Sequence, residues 1–178
     1  ASSAAFSAAA ASSAAFSAAA ASSAALSAAA FSAAAVSAAA AATGRVVFAD
    51  DSGIEAEALD GAPGVYSARF AGPDATDEEN LAKLVRLAPA GSPLAYVCAS
   101  AVVDPTAGPG RPLEHVVVGR CAGHVADRPR GAGGFGYDPV FVPDEHPART
   151  MAELTPAEKH AISHRGRAAA ELLQWLRR

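Results

Sequence analysis

LAYVCASAVV (94–103) and LEHVVVGRCAGHV (113–125) decide the fold. Both are long runs rich in Val and other strand formers, and PTAGPGRP (105–112) between them is a Pro- and Gly-rich turn, so the pattern predicts two long paired strands. Working outward, VVFAD (46–50) is a further β-rich run, residues 55–59 read as another short strand, and GAPG (61–64) reads as a turn. Thr76 with Glu79 forms a capping box that opens a helix through about Ala88, whose apolar side is Leu81, Leu84, Val85 and Leu87. Thr155, Pro156 and Glu158 form a second capping box with Pro at the first helical position. A last helix over roughly 166–177 turns Leu172, Leu173, Trp175 and Leu176 mostly inward. Strands mixed with helices in this order predict an α/β or α+β domain.

The composition divides the chain unevenly. Of 178 residues 51% are hydrophobic and 18% charged, with net charge −4, yet all 32 charged residues lie at or after Arg45. Residues 1–37 form an Ala/Ser tract of period five, with Ser at 2, 7, 12, 17, 22, 27, 32 and 37. On a helix, steps of five scatter Phe6, Phe16, Leu26, Phe31 and Val36 over different faces, so no amphipathic stripe forms. A pentapeptide β-solenoid would have room for roughly two coils, fewer than the three units such folds need. The tract therefore reads as low-complexity sequence without chemistry of its own, followed by a domain over 38–178. Basic residues form no stripe, which argues against nucleic acid as a partner. The tract lacks the basic flank and continuous large-apolar core of a leader, and recurring Ser among weakly apolar Ala argues against a membrane span, so no membrane partner and a cytoplasmic location are expected. Cys98 and Cys121 have neither C-x-x-C spacing nor a disulfide pattern and read as core residues in a reducing compartment.

Three constellations carry chemical signal. Asp50 and Asp51, followed by Ser52 and Gly53, sit where a strand is expected to meet a loop; they suit a hard cation or a proton acceptor, and equally a solvated Asp-rich turn. Gly131-Ala132-Gly133-Gly134-Phe135-Gly136-Tyr137-Asp138-Pro139 lets backbone approach a flat ligand while Phe135 offers a stacking face, or it is a flexible connector. Lys159 and Ser163-His164-Arg165-Gly166 place donors near a helix break, where they can converge on an anionic or carbonyl-rich ligand or form a solvated basic patch.

Taken together, ADDSGIEAEALDGAPGVYSARFAG (49–72), GAGGFGYDPVFVP (131–143) and TMAELTPAEKHAISHRGRA (150–168) closely resemble the inosine triphosphate pyrophosphatase family, the non-canonical purine nucleoside triphosphate pyrophosphatases, over about residues 38–178. The resemblance implies an α/β fold with a mixed sheet flanked by helices, here preceded by an atypical Ala/Ser-rich segment. It further implies a homodimer that uses Mg²⁺ to hydrolyse ITP, dITP and XTP to monophosphate and pyrophosphate. By motif, Asp51 would be the proton acceptor and a metal ligand, with Asp50 supporting the metal. Ser52 would contact the nucleotide; Phe135, Gly136, Tyr137 and Asp138 would form the loop against the base; Lys159, His164 and Arg165 would bind it from the other side. One departure stands out. The family's opening [ST]-x-N-x-x-K phosphate loop and the following helix with a metal-binding Glu have no counterpart, since the first Asn is Asn80, the first Lys is Lys83 and the first Glu is Glu55. A binding or dimer-forming remnant without turnover is therefore the competing reading, and a phosphodiesterase-like or septum-associated relative fits FGYDP and SHRGR less well.

Overall fold

The computed structural model describes residues 34–107 and 113–177; the tract through residue 33, positions 108–112 and residue 178 lie outside the described residues. Helix α1 occupies residues 34–43. β1 (Val47–Ala56), β2 (Pro63–Gly64), β3 (Pro93–Asp104), β4 (Leu113–Val125) and β5 (Phe141–Pro143) form one sheet in the order β2-β1-β3-β4-β5. All four described pairings are antiparallel, where the resemblance implied a mixed sheet. Helices α2 (Asp77–Leu87), α3 (Pro156–Ile162) and α4 (His164–Leu176) complete the α/β architecture.

Side chains alternate across a strand, so the register assigns each residue to a face. One face carries Phe48, Asp50, Ser52 and Ile54 of β1 beside Val102, Ser100, Cys98 and Tyr96 of β3. Over one end of it lies α4, whose Ala168 and Leu172 pack with Cys98, Val102 and Val117. Over the other end lies the main core, where Leu84 of α2 meets Ile54, Tyr96, Cys121 and Phe141. On the opposite face α1 buries Val36 and Ala40 against Ala101 and Val103. Those two residues are one helical turn apart, so the last pentad does supply a buried contact, and α1 runs across the expected boundary at 37/38.

Both predicted capping boxes form, at Thr76–Glu79 and at Thr155–Glu158, and both cysteines are buried and free. Other expectations need correction. Residues 57–59 are a turn of 3₁₀ helix rather than strand, and GAPG contributes Pro63 and Gly64 to β2. In α4, Leu173 and Leu176 face solvent, because the stripe that touches the sheet runs through Ala168, Leu172 and Trp175. In α2, Val85 and Leu87 are exposed, and the buried partner of Leu84 is Asn80. Asn80 accepts a hydrogen bond from Ala71 N–H and donates one to Ala68 C=O, which satisfies its polar atoms and ties the 68–71 segment to the helix.

Gly119 of β4 sets how closely α4 approaches. A Cβ there would lie 2.0 Å from His164 O and 2.7 Å from Ala168 N, both backbone atoms that cannot swing aside. Gly119→Ala is therefore expected to destabilise the fold by about 1–3 kcal/mol, the usual cost of overpacking. Urea denaturation checks it; an unchanged midpoint would mean that α4 shifts freely on the sheet.

Candidate functional site

β1 does not end at the acidic pair. Asp50, Asp51, Ser52 and Gly53 are paired with Ser100, Ala99, Cys98 and Val97, and the ladder continues to Ala56. Continuous pairing with β3 overrides the turn tendency of D-D-S-G. Its consequence is geometric: Asp50 and Ser52 point to the α4 face, and Asp51 points to the other. Asp50 accepts a hydrogen bond from Arg165 Nε at 3.3 Å.

The glycine-rich segment is an ordered loop built around Asp138. That carboxylate is almost fully buried and takes three donors: Phe135 N–H at 2.9 Å, Tyr96 O–H at 3.2 Å and the Lys159 ammonium in a short ion pair. Gly134 has φ +77°, and a Cβ there would fall 2.0 Å from Asp138 Oδ2, so only glycine lets the loop close over the carboxylate. Gly136 N–H donates to Asp77 Oδ2 at 2.8 Å, pinning the loop to the start of α2, and Tyr137 O–H donates to Ser67 C=O at 2.8 Å. Phe135 is left 62% exposed, with Lys159 Nζ 4.7 Å from its ring centroid. It is thus a flat apolar face held beside a cation.

Ser163 creates the helix break. Its backbone is extended (φ −64°, ψ 149°) between α3 and α4, and its hydroxyl accepts Gly166 N–H at 3.0 Å as the N-cap of α4. This cap turns His164 inward and leaves Arg165 half exposed beside Asp50. His164 is buried and stacks on Tyr96, ring centroids 4.9 Å apart at 14°. Burial, then the charges of Arg165 and Lys159, push its pKa down to about 4, with Asp50 opposing. His164 is accordingly neutral at pH 7 and offers one ring donor and one ring acceptor.

The structure therefore gathers Ser52, Phe135, Asp138, Lys159, His164 and Arg165 on one face of the sheet around Tyr96. Gly136 and Tyr137 serve as anchors of the loop, and Asp51 stands apart on the opposite face. Two buried polar atoms on the gathered face, Ser52 Oγ and His164 Nδ1, have no protein hydrogen-bond partner. Buried polar atoms are normally paired, so these two mark a place suited to a polar ligand. Sequence reasoning missed Tyr96 and Asp77. A single Tyr inside an apolar central strand was the available signal, since a buried hydroxyl needs a partner.

Asp50 and Asp51 do not converge as the expected magnesium pair, and of the two Asp51 is the carboxylate left to meet a cation. Asp50 and Asp51 cannot share a cation from opposite faces, and Asp50 already faces a guanidinium. Among the described residues no group of three or more His, Cys, Asp or Glu could hold a metal.

The model of the Ham1 family matches residues 13–175. A dITP/XTP pyrophosphatase of Geobacillus kaustophilus is 50% identical over 137 residues, covering 74% of this chain and 64% of the relative. One from Mycolicibacterium paratuberculosis is 49% identical over 132 residues, covering 72% and 62%. The chain thus spans just under two thirds of the length of these relatives. Among solved structures, a HAM1 protein from Coxiella burnetii superposes with TM-score 0.66 at 43% identity, covering 75% of this chain and 68% of that one. A nucleoside-triphosphatase, dITP/XTP pyrophosphatase, from Mycobacterium abscessus gives TM-score 0.65 at 44% identity, covering 82% and 73%.

Proposed function

The chain belongs to the Ham1 family, and from that premise we propose that it hydrolyses non-canonical purine nucleoside triphosphates, ITP, dITP and XTP, to the monophosphate and pyrophosphate. The observation that carries this reading is the convergence of a stacking face, two cations and a neutral imidazole on one side of the sheet. Phe135 supplies the face for a purine ring. His164 and Arg165 supply donors for a 6-oxo group, and the same donors would confront the amino group of adenine. A site whose donors are left unpaired by the wrong base can discriminate strongly.

The opposite orientation of Asp51 fits a substrate that passes round the sheet edge. Among the described residues β2 pairs only with Ile54 and Glu55, so no described strand lies beyond β1 at Asp51. A base held on the α4 face can extend its phosphates over this edge toward Asp51, which then accepts the proton of the attacking water. The bond broken is the one between the α-phosphorus and its bridging oxygen. A homodimeric state, magnesium dependence and a cytoplasmic setting belong to the same proposal and rest on the resemblance; among the described residues no helix is long and apolar enough to cross a membrane.

Product analysis tests the reaction. Incubation with ITP and Mg²⁺ is expected to yield IMP and pyrophosphate in equal amounts, and ATP should be turned over far more slowly. Formation of IDP and orthophosphate would contradict the assignment.

A further inference from the structure

Tyr96 occupies a position that none of the recognised motifs includes, yet it touches both halves of the site. It stands on β3, the strand paired along its whole length between β1 and β4. Its ring packs against Phe141, with centroids 4.5 Å apart at 34°, and stacks with the His164 ring at 4.9 Å and 14°. Its hydroxyl reaches Asp138 Oδ1 at 3.2 Å, while Asp138 Oδ2 binds Phe135 N–H and the Lys159 ammonium. Phe141 is fully buried and Tyr96 is 9% exposed, so the ring has little freedom to turn. One side chain on a rigid strand thus touches the imidazole from α4 and the carboxylate that organises the glycine-rich loop.

We propose that Tyr96 is a positioning residue for base selection: its ring fixes the plane of His164, and its hydroxyl fixes Asp138 and through it Lys159 and Phe135. The proposal rests on the reading of this face as a purine pocket. It separates two contributions that the motifs alone run together. The stack governs which base is preferred, because it orients the imidazole whose Nδ1 has no protein partner. The hydroxyl governs how tightly any purine is held, because it acts on the loop and its cation.

Two substitutions divide these roles. Tyr96→Phe keeps both ring contacts and removes only the hydroxyl; Tyr96→Leu removes the stack as well. Calorimetric titration of the chain with ITP and with ATP is expected to show both affinities falling about tenfold in Tyr96→Phe, the scale of one hydrogen bond to a charged group, with the ITP:ATP ratio retained. In Tyr96→Leu the ratio should collapse toward one. A role confined to stability would lower the melting temperature of both variants and leave the ratio at its wild-type value, which would overturn the proposal. Carbon-13 relaxation of the His164 ring reads the same point without nucleotide: an ordered imidazole in the wild type and in Tyr96→Phe, and a mobile one in Tyr96→Leu. Failure of the wild type to bind ITP would defeat the purine reading, while unchanged His164 relaxation in Tyr96→Leu would defeat the positioning role. Should Tyr96→Leu not fold, wild-type ITP affinity in Tyr96→Phe would by itself overturn the role of the hydroxyl.

Discussion

Lys159→Met is expected to destabilise the fold by about 3–5 kcal/mol, because it strands a buried carboxylate without its counter-charge. The Asp138 side chain is only 3% exposed, and Lys159 is the cation bound to it. Tyr96 O–H and Phe135 N–H would remain as donors, but neither neutralises the charge. The loss should be largely reversed by adding Asp138→Asn, which removes the charge while keeping a polar group of similar shape for Tyr96 and Phe135. Equilibrium urea unfolding of the two single variants and the double variant closes the cycle, with stability changes read from the midpoint at constant slope. If Lys159→Met lies within about 1 kcal/mol of wild type, the scale of ordinary surface pairs, the ion pair does not hold the loop. The second charged pair of the site provides the contrast. Arg165 and Asp50 are 52% and 38% exposed, so solvent screens them and their pairing contributes little to stability. Asp50 is therefore better understood as a restraint on where Arg165 points.

Patterns that depend on neighbours in sequence were legible before the structure. The two long strands, both capping boxes and the helix break at Ser163 follow from alternation, turn chemistry and local side-chain hydrogen bonds, and all are found. Properties fixed by distant partners were not legible. The strand end expected after Asp51 fails because residues 52–56 pair with 94–98, some forty positions away. The same pairing sends Asp50 and Asp51 to opposite faces, which no reading of D-D-S-G as a local unit could reveal. Leu173 and Leu176 look as apolar as Leu172 in sequence, and only the line of contact of α4 on the sheet distinguishes them. Among the residues expected from the motifs, Ser52, Phe135, Asp138, Lys159, His164 and Arg165 lie on one face, whereas Gly136 and Tyr137 anchor the loop. Tyr96 was passed over because it lies in an apolar run and belongs to no motif.

Turnover by this chain is expected to rise by at least about 10²- to 10³-fold when its N-terminal tract is replaced with a family strand, a [ST]-x-N-x-x-K loop and a Glu-bearing helix, since even one well-placed transition-state donor commonly contributes that much. The argument is electrostatic. A triphosphate brings several negative charges toward a strand that already carries Asp50 and Asp51, so productive binding needs cationic or amide donors around the phosphates. Residues 1–44 contain no Lys, Arg, Asn, Asp or Glu, and the first glycine is Gly44, so that tract has neither cationic side chains nor a glycine-rich phosphate cradle. The cations of the described site are engaged elsewhere: Lys159 with Asp138 beside Phe135, and Arg165 with Asp50. In the proposed reading those contacts serve the base. The structure also dictates where the exchange must be made. Val36 is 2% exposed and packs with Ala40 against β3, so the join belongs before residue 34 and must leave α1 intact. ITP affinity should change less than turnover, because the base pocket is already present. Equal rates for the chain and the chimera would show that the phosphates find their donors elsewhere. A chimera with rapid turnover, beside a parent that binds ITP comparably and cleaves it slowly, would establish that the described residues select the base and the added loop completes the chemistry.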